Sequence, residues 1–196
     1  MFLRKNYGFC SFEYIYFARG DSIIDGISVY ESRISAGKKL YKNHAVEGDI
    51  VIGVPDSGIP AAIGYSKASG IPYGLGFIKN KYAVRSFIFP HKNLRESMVD
   101  IKLSPLFNEI KGRRVIVIDD SIVRGTSCRK VVKSLLKNGA KEVHFRIASP
   151  SIKYCCHLGI DIGIKKELIA ACKSIEEIRK EIGATTLEYL SLEEFC

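Results

Sequence analysis

The sequence predicts an α/β fold, a mostly parallel sheet with helices on both faces. Two observations carry this. From Asp49 onward, short apolar runs alternate with helical segments, the pattern of strand, crossover helix and strand. The strongest run, Val115 to Asp119 ("VIVID"), is continuously apolar until its end, as a buried strand requires.

Taken in order, "SFEYIYFA" (Ser11 to Ala18) is expected as a strand and Gly26 to Lys42 as an amphipathic helix. "DIVIGV" (Asp49 to Val54) reads as a buried strand, followed by the turn "PDSGIP" and the small-residue helix "AAIGYSKAS". Ile71 to Phe77 is the second strand of the alternating core and Val115 to Asp119 the third. The following helix, Thr126 to Asn138, places Val131, Val132, Leu135 and Leu136 on one face, and Gly139 ends it. Glu142 to Ser149 is the fourth strand. Residues 1–149 form the core, and 150–196 a small C-terminal cap of the same structural unit, packed against the sheet. Within the cap, Ser174 and Glu177 form a capping-box pattern and Gly183 closes the helix they open.

The formal net charge is +9, which calls for anionic partners. No helix-turn-helix, zinc-finger or aromatic RNA-binding pattern occurs, so phosphorylated small molecules are favoured over nucleic acid. No run suits a membrane span or a signal peptide, and a cytoplasmic protein is expected. Six cysteines occur without a C-x-x-C pair, which reads as reduced thiols rather than a zinc site. Ile78 to Arg114 is long for a connection inside a compact domain. Its first part, about 78–96, is basic with interleaved aromatic residues (Lys79, Lys81, Arg85, His91, Lys92, Arg95). A solvated charged hairpin is one reading; a lid closing over an anion fits the aromatic residues better.

Asp119 and Asp120 stand where an open α/β sheet binds its ligands, at the C-terminal end of a strand. The adjoining "SIVRGTS" is a small-residue turn opening a helix, whose N–H groups and dipole favour an anion. Carboxylates beside an anion cradle suit a ligand with a phosphate next to hydroxyls, or a hard cation such as Mg²⁺. Alternatively, Asp120 caps the helix and Asp119 pairs with a basic neighbour. At another strand end, Asp56, Ser57 and Gly58 offer a second phosphate site. Neither G-x-G-x-x-G nor the P-loop pattern is present.

"VIVIDDSIVRGTS" resembles the phosphoribosyl pyrophosphate (PRPP) signature of the type I phosphoribosyltransferases. The segments "CSFEYIYFARGDS", "GISVYESRISAGKKL", "GVPDSGIPAAIGY", "FIKNKYAVRSFI" and "GIDIGIKKELIAA" are similar to the transferase half of the amidophosphoribosyltransferases. That resemblance implies the type I phosphoribosyltransferase fold and a pentosyltransferase that displaces pyrophosphate from PRPP with ammonia, opening purine biosynthesis. It implies Mg²⁺ on Ser57, Asp119 and Asp120, and the 5-phosphate on the turn Ser121, Ile122, Val123, Arg124, Gly125 and Thr126. Asp56, Ser57 and Gly58 would hold pyrophosphate, and Lys79 and Arg85 would act from the lid with the acidic pair. Purine nucleotides are implied as inhibitors, and a homo-oligomer is expected.

Three departures set further expectations. No glutaminase portion precedes Cys10, so the chain is expected to use free ammonia, to receive it from a separate glutaminase chain, or to be a fragment. Cys10 and Cys156 match the first two ligands of an iron–sulfur cluster found in some members, but the second pair is missing and no cluster is expected. Val84 replaces a lid glycine, which is expected to hinder closure. A non-catalytic PRPP-binding sensor is the alternative from another class, and a plain nucleic-acid binder ranks below it.

Overall fold

The computed structural model describes residues 10–79, 103–156 and 164–195. A π-helical turn, Glu13–Phe17, comes first, where a strand over Ser11 to Ala18 is expected. The alternating aromatics mislead because no neighbouring strand pairs with them. Ile15 is the buried side chain, whereas Tyr16 and Phe17 are exposed. The turn's carbonyls are satisfied by Arg33, whose Nε and Nη2 donate to Tyr14 O and Ala18 O at 2.7 and 2.9 Å. A small antiparallel ribbon, β1 (Ile23–Ile24) with β2 (Ile27–Ser28), leads into α1 (Val29–Asn43). The predicted helix therefore starts after the ribbon, where the Ser28 hydroxyl accepts the Glu31 N–H.

The central layer begins with β3 (Ile50–Gly53), followed by α2 (Gly58–Ser69). Next come the short antiparallel pair β4 (Phe77–Lys79) and β5 (Leu103–Pro105), then α3 (Phe107–Ile110). The chain continues through β6 (Arg114–Asp119), α4 (Thr126–Lys137) and β7 (Glu142–Ile147). It ends with α5 (Ile169–Cys172), α6 (Ile175–Ile182), β8 (Thr186–Tyr189) and α7 (Leu192–Phe195). Among the described residues the main sheet has four strands in the order β3-β6-β7-β8, all parallel. Helices cover both faces of this parallel sheet, as the sequence predicts.

Why β6 reads as continuous apolar sequence is now plain. Val115 and Val117 pack into a core with α4 and α6, while Ile116 and Ile118 pack into a second core with α1 and α2. Each such side chain contributes on the order of 1.5–3 kcal/mol by leaving water. On α4, Cys128, Val131, Val132 and Leu135 face the sheet; Leu136 is 43% exposed, contrary to expectation. Its position lies a further 100° round from Leu135, at the edge of the buried stripe.

Two expectations need correction. Ile71 to Phe77 is not a full strand of the main sheet: only Tyr73 bridges Val51, and Pro72, lacking an N–H, contributes just its carbonyl to the Val51 N–H at 2.9 Å. A cap packed against the sheet is expected for 150–196, yet its strand β8 joins the sheet itself beside β7. Its short alternating pattern was masked by the helix before it, whose capping box Ser174–Glu177 and left-handed Gly183 are as expected.

At the far end of the sheet from the acidic pair, Asp49 clamps the start of β6. Its Oδ2 accepts the Arg114 N–H at 2.7 Å and its Oδ1 accepts from Nη2 at 2.9 Å. The Arg114 side chain and amide hold this carboxyl down to about 2, below the ordinary 3.8. A lowered folded pKa means the unfolded chain takes up the proton first on acidification. The clamp's contribution is therefore complete above 3.8 and lost as pH falls towards 2. Asp49→Asn should remove that stretch of pH dependence from urea midpoints; an unchanged acid limb would show that the clamp contributes nothing.

Candidate active site

Parallel pairing brings the C-terminal ends of β3, β6 and β7 side by side. Val54 N–H donates to Ile118 O and Ala148 N–H to Asp119 O, both at 2.9 Å. Everything that leaves the sheet here, the loop 54–57 and the segment 120–125, therefore starts from adjoining points. Gly58 lets the two come together: a Cβ there would lie 2.6 Å from Ile118 O and 3.2 Å from Asp119 Cα. The Pro55–Asp56 peptide in this loop is cis.

Asp119 and Asp120 are each only 8% exposed. Asp119 Oδ1 accepts the Asp120 N–H at 2.9 Å, and the Ser121 hydroxyl donates to Asp120 Oδ1 at 2.6 Å. Ser57 and Asp120 line one small cavity, so the two loops adjoin. Burial, and then the neighbouring Asp120 charge, push the Asp119 carboxyl well above the ordinary range. Burial raises Asp120 too, against the opposing pull of Ser121, Ser57 and the Arg33 charge. Two buried carboxylates in contact along the chain are stabilised together only by added positive charge. The neighbouring Cys128 thiol, 3.9 Å from Asp119 Oδ2, is itself pushed up by burial and the two acids, so it stays neutral.

Beyond the acids, the turn is tied down from the C-terminal side. Ile122 is fully buried, so its side chain belongs to the core and only its backbone is left to face a ligand. Val123 O accepts the Ile169 N–H at 3.0 Å, and Arg124 is ion-paired with Glu167. Gly125, with φ of +76°, turns the chain into α4 and no side chain caps that helix. Asp120 is thus not the cap of α4. The first N–H groups of α4 have no partner within the helix by its geometry, and exposed Thr126 and Ser127 flank them.

The structure also joins two positions far apart in sequence. Lys79, at the end of β4, places Nζ 2.5 Å from Asp56 Oδ2. Arg85, Val84 and the remainder of the expected lid lie outside the described residues. Among the described residues no group of three or more His, Cys, Asp or Glu is gathered as a metal site. Cys10 and Cys156 are both half-buried. Sequence reasoning missed Cys128, which approaches Asp119, and Arg33, which lines a small cavity with Asp120. Each does so from a helix face, where nothing but the fold reveals the neighbour.

The phosphoribosyl transferase domain family model matches residues 31–149. Amidophosphoribosyltransferase of Pyrococcus horikoshii is 58% identical over 187 residues, covering 95% of this chain and 41% of the relative. That of Bacillus subtilis is 55% identical over 188 residues, covering 96% and 40%. A solved structure of the B. subtilis glutamine PRPP amidotransferase, complexed with ADP and GMP, superposes with a TM-score of 0.87 over 95% of this chain and 41% of that one. The chain spans about two fifths of the length of these relatives.

Proposed function

The chain belongs to the phosphoribosyl transferase domain family, and from that premise we propose that it transfers ammonia nitrogen to C1 of PRPP. The observation that carries this is the junction of three parts at adjoining strand ends: the buried acids, the turn into α4, and the Asp56–Gly58 loop. An anion cradle beside two carboxylates matches a sugar phosphate with neighbouring hydroxyls. A similar solved structure, 54% identical, is described as the allosteric regulatory enzyme of purine biosynthesis, and the proposed reaction would open that route.

The donor set fits Mg²⁺: Asp119, Asp120 and Ser57 offer oxygen alone, and burial disfavours charge on both acids, a cost that a cation there would relieve. When bound, that ion would neutralise charge on the departing pyrophosphate. The protein's own residues would do the rest. Backbone N–H groups from Ser121 to Thr126 hold the 5-phosphate, and the acids orient the ribose hydroxyls. The Asp56–Gly58 loop and Lys79 receive pyrophosphate, with Arg85 of the basic segment as a further proposed catalytic cation. As the C1–O bond breaks, its electron pair leaves with pyrophosphate. The ammonia lone pair forms the C1–N bond, and the surplus proton passes to water. Fixed dipoles that face developing charge account for much of such catalysis.

In this reading nitrogen arrives as free ammonia, from a separate glutaminase chain, or from another part of a longer protein of which this chain is a piece. Purine nucleotides are the proposed inhibitors, since a relative was solved with ADP and GMP. A homo-oligomer in the cytoplasm is the proposed setting; among the described residues no helix is long and apolar enough to cross a membrane. Pyrophosphate release from PRPP with Mg²⁺ tests the proposal. Release is expected with ammonium and not with glutamine alone. Tight PRPP binding without release under either donor would replace the enzyme by a PRPP sensor.

A further inference from the structure

Three consecutive residues of the turn into α4 rest on one short stretch of the C-terminal region. Val123 O accepts the Ile169 N–H at 3.0 Å. Arg124 donates from Nε to Glu167 Oε2 at 2.7 Å, and its Nη2 pairs with the same oxygen. At Gly125 a Cβ would lie 2.8 Å from Ile169 Cδ1, so the isoleucine packs directly against the left-handed residue. The stretch is itself anchored. Leu168 is fully buried, Ile169 belongs to the core shared with α4 and α6, and the Lys173 N–H donates to Ile169 O at 2.9 Å. A second bridge fixes α4 to the same region. Arg129 Nε donates to Glu181 O at 3.2 Å, and the Glu181 carboxylate pairs with both Arg129 and Lys173. No side chain caps α4. From Val123 on, the turn is therefore held by the C-terminal region and not by the helix it opens.

We infer that Glu167 is a positioning residue: by engaging Arg124 it keeps the backbone N–H groups of 121–126 in one anion-accepting arrangement. The stretch 165–169 then works as part of the anion site. Both side chains of the pair are about half exposed, and exposed pairs add little to overall stability. Its place matters more than its strength. A loop that must be ordered at the moment of binding loses affinity, whereas one ordered beforehand does not. The pairing commits Nε and Nη2 of the planar fork to one carboxylate, a fixed geometry that a point charge would not give. That the anion is the 5-phosphate of PRPP rests on the function proposed above; the clamp on the turn does not.

Hydrogen exchange of the ligand-free chain tests the clamp, and should run roughly tenfold faster over 121–126 in Glu167→Ala. An unchanged rate there would overturn the inference. Calorimetry tests the consequence with three probes. Glu167→Ala should weaken ribose 5-phosphate, and PRPP with Mg²⁺, by about tenfold. Pyrophosphate, proposed to bind the Asp56–Gly58 loop, should bind as before. Arg124→Ala should match Glu167→Ala, and the double variant should be no weaker than either single one. Unchanged or tighter ribose 5-phosphate binding in Glu167→Ala would also overturn the inference. So would an equal loss of pyrophosphate, which would mean a general disturbance. A much larger loss in Arg124→Ala would overturn it too, by making Arg124 a phosphate ligand itself. If the unsubstituted chain binds none of the three, the transferase reading falls, and exchange over 121–126 still decides the role of Glu167.

Discussion

Replacing both Asp119 and Asp120 by asparagine should lower ammonium-dependent pyrophosphate release by roughly 10²–10³-fold, the size seen when a fixed electrostatic group at a reacting centre is lost. The same change should leave the fold intact or make the ligand-free chain more stable. Each acid is 8% exposed, and burial together with their mutual repulsion opposes charge on Asp119. Asparagine keeps the shape, can still donate to or accept from Ser121 and the Asp120 amide position, and carries no charge to desolvate. Activity and stability therefore move in opposite directions, which a merely structural pair would not do. Thermal melting and kcat/KM on the same preparations measure both. Retained release would remove the acids from the site, and a large fall in melting temperature would make them structural.

How much of this could be read in the chain depends on where each signal lives. The acidic pair was legible because strand, carboxylates and turn are contiguous in "VIVIDDSIVRGTS", and the run's apolar continuity follows from the two cores on either side of β6. The loop Asp56–Gly58 was legible for the same reason, as a polar turn directly after β3. Other features are set by partners remote in sequence. Ser11 to Ala18 alternates like a strand but coils because Arg33, on α1, takes its carbonyls. Ile71 to Phe77 has strand-like composition, yet Pro72 and a single bridge to Val51 keep it from completing a ladder. β8 sits next to β7 through pairs such as His144 with Thr186, and no local pattern announces that neighbour.

Gly58→Ala is the most economical test of whether loop and strand must be in contact. Gly58 opens α2, and its backbone conformation lies outside the left-handed region, so alanine is allowed by φ. The obstacle is space. The new methyl would stand 2.6 Å from Ile118 O and 3.2 Å from Asp119 Cα, both backbone atoms of β6 that cannot swing aside. Either α2 retreats or the end of β6 bends. Overpacking of this kind costs about 1–3 kcal/mol, equivalent to a fall in melting temperature of about 2–4 °C per kcal/mol for a chain of this size. The chemical consequence should be larger. Ser57 is the residue before Gly58 and lines one small cavity with Asp120, so a displacement near 1 Å moves the loop away from the acids and should cost about 10²-fold in turnover. Gly20→Ala, with nothing within 4 Å of the added methyl, is the matched control. Normal turnover in Gly58→Ala despite a lowered melting temperature would mean that the chemistry tolerates separation of Ser57 from the acids, and the hydroxyl would then leave the proposed Mg²⁺ set.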